Sequence, residues 1–200
     1  MEKQSSIVSD FHQHNHFVFT RKGFLSAQEC QSIIEVAASQ VQKSTVLGAQ
    51  RSGYRTSSST WLYADSLPVI VDKIELLVDQ ITDLPRSHQE ALQVVRYDIG
   101  EEYKTHEDFW HLNTDYYEEQ MSRGGQRVWS IMIYLNPVPR GGDTRFTSID
   151  LDIKAEPGKV LAWKNTIDGE LNLDSSHAGM PVEEGEKWVA IKWVREEPFV

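Results

Sequence analysis

Two histidines and one aspartate have the types and spacing of a metal-binding site. His106 and Asp108 form a His-x-Asp pair, and His177 follows far downstream. Residues i and i+2 of an extended segment point to the same face, so the pair can reach one ion together. Two imidazoles and one carboxylate on one face of an octahedral Fe(II) ion leave three positions for a bidentate cosubstrate and dioxygen. The spacing therefore predicts an iron site for oxygenase chemistry rather than a zinc site, since zinc does not change its oxidation state.

A lysine downstream of His177 indicates which cosubstrate that iron would use. Lys187 lies in a run that is predicted to be a strand, between Glu186 and Trp188. Its ammonium group can pair with the remote carboxylate of 2-oxoglutarate while the keto acid end binds the metal. Most lysines on strands are solvated edge residues, so this assignment depends on the metal ligands beside it.

Three longer stretches contain these residues and resemble the prolyl 4-hydroxylase family of Fe(II)/2-oxoglutarate dioxygenases. They are RYDIGEEYKTHEDF at 96–109, YLNPVPRGGDTRF at 134–146 and HAGMPVEEGEKWVAIKW at 177–193. The resemblance extends over roughly residues 17–193. Four residues depart from the usual family pattern and leave the identity of the substrate open: Glu101, Asp143, Thr147 and Met180.

The resemblance implies a fold, a set of cofactors and further site residues. The implied fold is α+β, a double-stranded β-helix or jelly-roll core with N-terminal helices packed against its major sheet. The implied cofactors are Fe(II), 2-oxoglutarate and O2, with L-ascorbate rescuing oxidised iron. By the same resemblance, Tyr97 and Thr144 join Lys187 at the cosubstrate carboxylate, where each can donate an O–H.

The resemblance also implies the residues that meet the substrate: Tyr103, Arg127 and Trp193. Aromatic rings suit the apolar face of proline, and an arginine can donate to a peptide carbonyl. We therefore expect hydroxylation of a prolyl residue in a peptide or protein, with release of succinate and CO2. Two alternatives stay open, a hydroxylase of a free amino acid or other small molecule and a non-catalytic binding module on the same scaffold.

Length and composition predict one domain. The chain has 200 residues, 40% of them hydrophobic, which is enough to bury a core. We assign a polar N-terminal segment to residues 1–16 and the dioxygenase domain to residues 17–200, with a catalytic core at about 92–195. The single cysteine, Cys30, is expected to be a reduced core residue.

Charge and hydropathy exclude several classes of partner. The net charge is −10, and no run of lysine and arginine dominates, which argues against nucleic acid binding. The sequence shows neither an apolar run of membrane-spanning length nor a secretory leader, so we expect no membrane association and a cytoplasmic location. The sequence does not indicate an oligomeric state.

Helices are predicted first and strands after them. Ser26 and Glu29 form a capping box before an apolar stripe, and a second helix is expected at about 67–84. Short runs rich in Val, Ile, Trp and Tyr predict strands at 92–97, 127–136, 144–149, 159–163 and 187–194. The polar stretch 111–126 follows the His-x-Asp pair and is expected to be either a flexible lid over a substrate or an idle exposed connection.

Overall fold

The computed structural model describes residues 10–45 and 53–200, and short antiparallel strands are the most frequent elements in it. The α-helices in these ranges are α1 (Ala27–Ala38), α2 (Pro68–Thr82) and α3 (Tyr117–Ser122), and short 3-10 helices lie at Arg86–His88 and Leu173–Ser175. The strands in these ranges are β1 (His12–Gln13), β2 (Val18–Arg21), β3 (Gln42–Lys43), β4 (Ser58–Leu62), β5 (Leu92–Tyr97), β6 (Tyr103–His106), β7 (Arg127–Tyr134), β8 (Arg140–Gly141), β9 (Thr144–Phe146), β10 (Leu151–Ile153), β11 (Val160–Lys164), β12 (Thr166–Ile167), β13 (Glu170–Leu171), β14 (His177–Gly179), β15 (Val182–Glu184) and β16 (Lys187–Arg195).

Two sheets face each other. The major sheet has the order β1-β2-β11-β7-β16-β5-β4-β3, and the minor sheet has the order β10-β9-β14-β6. Every pairing in both sheets is antiparallel. The central neighbours in the sheets are distant in the chain, as β7 beside β16 and β6 beside β14 illustrate, which is the crossed connectivity of a jelly roll. The predicted α+β fold with a double-stranded β-helix core is confirmed.

The apolar residues form two cores on opposite faces of the major sheet. The outer core contains Ile33 of α1 and Leu77 of α2, packed on strand residues such as Ile131. The inner core lies between the two sheets and contains Phe146 and Trp163. The N-terminal helices therefore cover the back of the major sheet, as predicted, and the inner face is free to carry a site.

Strand β16 alternates between these two faces because successive strand residues point to opposite sides. Its members Trp188, Ala190 and Val194 belong to the outer core. The alternate members Lys187, Val189, Ile191 and Trp193 line a cavity on the inner side. One set of β16 side chains thus packs against the helix layer, and the alternate set lines the cavity.

Local signals explain where the helices begin and end. Ser26 caps α1, accepting from the Glu29 backbone N–H, and the Glu29 carboxylate accepts from the Ser26 backbone N–H at 2.7 Å. Helix α2 begins with Pro68. Proline has no backbone N–H, and this costs nothing in the first turn, where the N–H groups have no partner within the helix. Helix α2 ends before Asp83, which adopts the left-handed conformation. Both helices lie where the sequence predicts them.

The strand predictions hold within two residues except at one turn. Strand β9 ends at Phe146 instead of Ile149, because residues 147–150 reverse the chain and Asp150 adopts a left-handed φ of 51°. Leu151 then pairs with Phe146 across β10 and β9. An apolar residue such as Ile149 can therefore sit in a turn and still pack on the inner core.

The N-terminal segment is only partly described. Residues 1–9 of the predicted polar segment 1–16 lie outside the described residues, whereas His12–Gln13 form β1 and pair with β2. Cys30 is free and buried in the outer core, where the sequence places it. None of the helices in residues 10–45 and 53–200 has the length and apolarity to cross a membrane.

Candidate active site

The sheet itself brings the predicted metal ligands together. His106 ends β6, His177 begins β14, and the two residues are direct partners in the antiparallel register. Asp108 follows His106 by two residues and turns back toward both rings. Its Oδ1 lies 3.8 Å from His106 Nε2, and its Oδ2 lies 4.0 Å from His177 Nε2. One ligand atom from each of the three residues lies within 4.8 Å of the others.

Backbone carbonyls fix the tautomer of both histidines. His106 Nδ1 lies 2.8 Å from the carbonyl oxygen of Lys104, and His177 Nδ1 lies 2.9 Å from that of Ser175. A carbonyl can only accept, so each Nδ1 carries the proton and each Nε2 keeps its lone pair. Ligating histidines in metalloproteins are held in this way.

The protonation states also suit a metal. Burial lowers the pKa of His106 to about 3, with the neighbouring His177 adding to the effect. Burial alone would raise the pKa of Asp108, but the two histidines, Arg127 and a hydrogen bond from Ser130 outweigh it and hold that pKa at about 2. Neutral imidazole and ionised carboxylate are the forms that bind a cation.

The donor set fits Fe(II). Two imidazole nitrogens and one carboxylate oxygen converge from one side, which is the facial arrangement of non-haem iron oxygenases. The opposite side opens into a cavity of about 960 Å³ that all three residues line. His106, Asp108 and His177 would hold the ion, and the cavity leaves room for further ligands.

Lys187 lines the same cavity, and its ammonium group is buried there. Its side chain is only 2% exposed, and within residues 10–45 and 53–200 no carboxylate comes within ion-pair distance of it. Burial lowers its pKa to about 8, although Asp143 partly offsets the effect. Its ammonium group lies over the rings of Tyr97 and Tyr134, 5.4 and 5.6 Å from their centres. A buried ammonium without a carboxylate partner is what a dicarboxylate cosubstrate would pair with.

The two hydroxyl residues predicted beside Lys187 are placed near it. Tyr97 is the cross-strand partner of Lys187, and Thr144 lines the same cavity. Burial raises the pKa of Tyr97, so its hydroxyl keeps its proton and can donate. Sequence reasoning missed Tyr134, whose Oη lies 2.8 Å from Thr144 Oγ1 and which lies beneath the lysine. No motif marks a buried tyrosine, so only the three-dimensional contact identifies it.

Arg127 and Trp193, both predicted at the substrate, form one unit in the structure. The Arg127 guanidinium lies between two indole rings, 3.9 Å from the centre of Trp193 and 4.4 Å from that of Trp110. Glu90 accepts two hydrogen bonds from it, at 2.6 and 2.7 Å. Sequence reasoning missed Glu90, which precedes β5 without any recognisable motif.

Tyr103, the third predicted substrate residue, lies against the metal ligands. Its ring stacks on the His106 ring with centres 3.5 Å apart and planes inclined by 15°. The guanidinium of Arg55 covers the other side of Tyr103, 4.9 Å from the ring centre, and donates to Gln93 at 3.2 Å. Tyr103 thus forms the wall between the ion position and Arg55, a contact that the sequence did not indicate.

The stretch 111–126 packs against the rest of the site. It contains α3, and its base is closed by Gln126, whose side chain bonds the backbone N–H and carbonyl of Trp110 at 2.8 and 2.7 Å. Arg195, fully buried, donates to the carbonyls of Gln120 and Gly125. Tyr116 and Gln120 of this segment line the cavity. The segment therefore forms part of the cavity wall.

Comparison with known proteins agrees with this geometry. The model of the 2OG-Fe(II) oxygenase superfamily matches residues 92–195. Probable prolyl 4-hydroxylase 10 of Arabidopsis thaliana is 34% identical over 197 residues, covering 86% of this chain and 66% of its own length. Prolyl 4-hydroxylase 2 of the same plant is 32% identical over 208 residues, covering 90% of this chain and 68% of its own. The chain spans about two thirds of the length of these relatives.

A solved structure extends the comparison to three dimensions. The viral collagen prolyl hydroxylase of Paramecium Bursaria Chlorella virus-1, in its 2OG complex, superimposes with a TM-score of 0.73 at 26% identity. The match covers 90% of this chain and 97% of the viral one. With the sequence matches and the convergent His-Asp-His site, it shows that this chain belongs to the prolyl 4-hydroxylase family of Fe(II)- and 2-oxoglutarate-dependent dioxygenases.

Proposed function

We propose that this protein hydroxylates a prolyl residue in a peptide or protein, consuming O2 and 2-oxoglutarate and releasing succinate and CO2. The observation that carries the proposal is one cavity that holds the three ligands, the buried Lys187 and the Arg127–Trp193 unit. The relatives that are named prolyl 4-hydroxylases support the choice of proline.

Each end of the cosubstrate has a place in the cavity. When bound, Fe(II) and 2-oxoglutarate supply the oxidative decarboxylation that inserts one oxygen atom into a C–H bond. Lys187 pairs with the remote carboxylate, and Tyr97 and Thr144 donate O–H groups to it. Because Lys187 is the first residue of β16 and the two histidines lie on the minor sheet, the cosubstrate would lie between the two sheets.

The substrate side is built for a ring and a peptide bond. The Trp193 ring is an apolar surface of a suitable kind for a proline ring. Glu90 occupies Nε and Nη2 of Arg127 and fixes its plane, which leaves the remaining guanidinium donors for a peptide carbonyl. Tyr103 closes the wall beside His106. These side chains orient a prolyl residue toward the ion position and exclude water from it.

The experiment that tests the proposal compares substrates. The purified protein with Fe(II), 2-oxoglutarate and L-ascorbate is incubated with a proline-rich peptide or with free proline, and succinate and the product mass are measured. We expect succinate release to rise with the peptide, and the peptide to gain one oxygen atom on proline. Ascorbate is expected to extend turnover by reducing oxidised iron.

The controls separate the possible outcomes. His106→Ala should abolish peptide-dependent succinate release. Stimulation by free proline but not by the peptide would replace the proposal with a small-molecule hydroxylase. Metal binding without turnover on either substrate would favour a binding module on this scaffold.

A further inference from the structure

The carboxylate of Asp108 accepts a hydrogen bond from a buried serine, which in turn accepts one from a buried asparagine. Ser130 lies on β7 and donates from Oγ to Asp108 Oδ2 at 2.6 Å. Asn165, directly after β11, donates from Nδ2 to Ser130 Oγ at 2.8 Å. Ser130 and Asn165 are both fully buried. A chain of two hydrogen bonds thus ends on one oxygen of the carboxylate.

The direction of this chain is fixed by the number of protons. A serine hydroxyl has one proton, and the ionised Asp108 can only accept, so that proton points to Oδ2. The Ser130 oxygen must then accept, and Asn165 supplies the donor through its amide nitrogen. Among residues 10–45 and 53–200, Asn165 Oδ1 finds no hydrogen-bond partner although it is buried. A buried amide oxygen without a partner is uncommon in folded proteins.

The backbone holds Asn165 in this position. Its N–H donates to the carbonyl of Val128 at 2.9 Å, and its own carbonyl accepts from Asn172 at 2.9 Å. Ser130 is fixed as well, because it pairs with Trp163 of β11 and with Trp193 of β16. The Asp108 carboxylate is therefore anchored to the middle of the major sheet, although its own backbone follows a strand of the minor sheet.

We propose that Ser130, oriented by Asn165, is a positioning residue that restricts Asp108 to binding the metal through Oδ1 alone. The short hydrogen bond to a carboxylate is of the strong, charge-assisted kind, and it competes with chelation through both oxygens. One oxygen ligand leaves three positions on the ion, which a bidentate keto acid and O2 require. The inference rests on the metal site of the proposed function and not on the choice of substrate.

The test is a metal titration of the metal-free protein. Co(II), which is stable in air, serves as the probe for the Fe(II) site, and its visible absorption reports affinity and coordination number. Ser130→Ala should raise the Kd by about 10- to 100-fold, the usual effect of removing such a hydrogen bond. It should also change the Co(II) spectrum. Ser130→Thr, which keeps the hydroxyl, should bind as the wild type does.

A matched control removes a buried hydroxyl elsewhere on the major sheet. Thr20 on β2 is 8% exposed, and its Oγ1 bonds His14 at 2.9 Å. Thr20→Val should leave the Kd for Co(II) and the spectrum unchanged. Asn165→Ala, which leaves Ser130 in place but releases its orientation, should weaken binding less than Ser130→Ala.

The outcomes distinguish this inference from the proposed function. Wild-type affinity and spectrum in a folded Ser130→Ala protein would overturn the inference and leave the iron site intact. Failure of the wild type to bind Co(II) would overturn both. If Ser130→Ala does not fold, Ser130→Cys replaces it, since a thiol is a weaker donor. Its Kd should lie above that of the wild type, and an equal Kd would contradict the inference.

Discussion

The ammonium nitrogen of Lys187 lies 5.4 Å from the centre of the ring of Tyr97, its direct partner across β16 and β5. The pairing keeps a buried cation in the cavity, and none of the described carboxylates lies within ion-pair distance of it. The ring face offers partial negative charge but no full neutralisation. The ammonium group of Lys187 can therefore pair with a carboxylate of a dicarboxylate ligand.

This state predicts a pH dependence. Burial lowers the pKa of Lys187 to about 8, and only the protonated amine attracts the cosubstrate carboxylate. Affinity should therefore be full below pH 8 and be lost as the pH rises through it. The KM for 2-oxoglutarate, measured by succinate release, should rise by about tenfold per pH unit above that point.

Lys187→Arg provides the control for this profile. A guanidinium stays protonated over the whole range, so the KM for 2-oxoglutarate should no longer rise near pH 8, even if its absolute value is higher. A rise that persists in Lys187→Arg would show that another group causes it.

Removal of a metal ligand should separate activity from folding. His106→Ala takes away one nitrogen donor, and we expect turnover to fall to background and Co(II) affinity to drop steeply. The fold should persist, because His106 lies at the end of β6 and not in either core. Circular dichroism of the metal-free variant checks this. His14→Gln, at the edge of the major sheet, should retain full turnover.

Adjacent leucines of α2 test the helix layer. Leu77 is 2% exposed and lies in the outer core, whereas Leu76 is 45% exposed. Leu77→Ala should lower the free energy of unfolding by about 2–5 kcal/mol, and Leu76→Ala should change it by less than about 1 kcal/mol. Urea denaturation measures both. Similar losses in the two variants would contradict the packing of α2 on the sheet.

Arg127 should affect the substrate and not the cosubstrate. If it donates to a peptide carbonyl, Arg127→Gln removes a charged hydrogen bond of about 1.5–3 kcal/mol. The KM for the peptide should then rise by about 10- to 100-fold, with an unchanged KM for 2-oxoglutarate. Arg140→Gln, at an exposed pair with Glu183, is the control. A rise in the KM for 2-oxoglutarate would show that Arg127 contributes to cosubstrate binding and would contradict this assignment.

After truncation at Arg127, buried Glu90 keeps one cation among the described residues within ion-pair distance, Arg195 at 3.3 Å. The double variant Glu90→Gln/Arg127→Gln removes the Glu90 carboxylate charge as well. If its KM for the peptide equals that of Arg127→Gln, the loss belongs to substrate binding rather than to strain at Glu90.

Much of the fold could be predicted because its signals are local. Strand β5 is predicted to the residue and β16 to within one, since each is a short run in which Val, Ile, Leu and aromatic residues predominate. The capping box at Ser26 and the proline at the start of α2 mark helix ends by chemistry confined to one turn. The end of β9 could not be predicted, because Ile149 is apolar yet lies in a turn.

The candidate site was predictable only where a motif carries it. His106 and Asp108 are two residues apart, and the sequence alone shows the pattern. Ser130 and Asn165 are far from Asp108 in the chain, and serine and asparagine are too common to stand out. Such contacts arise from the crossed order of the strands, which brings β7, β11 and β6 together across two sheets.

The alternation of β16 has a consequence for how this enzyme could be re-engineered. Trp188, Ala190 and Val194 face the helices, and Val189, Ile191 and Trp193 face the cavity. A mutant library confined to the second group would sample new specificities while sparing the outer core, which packs the helices on the sheet. A library at the adjacent positions, which face the helices, would instead change the thermal stability of the protein.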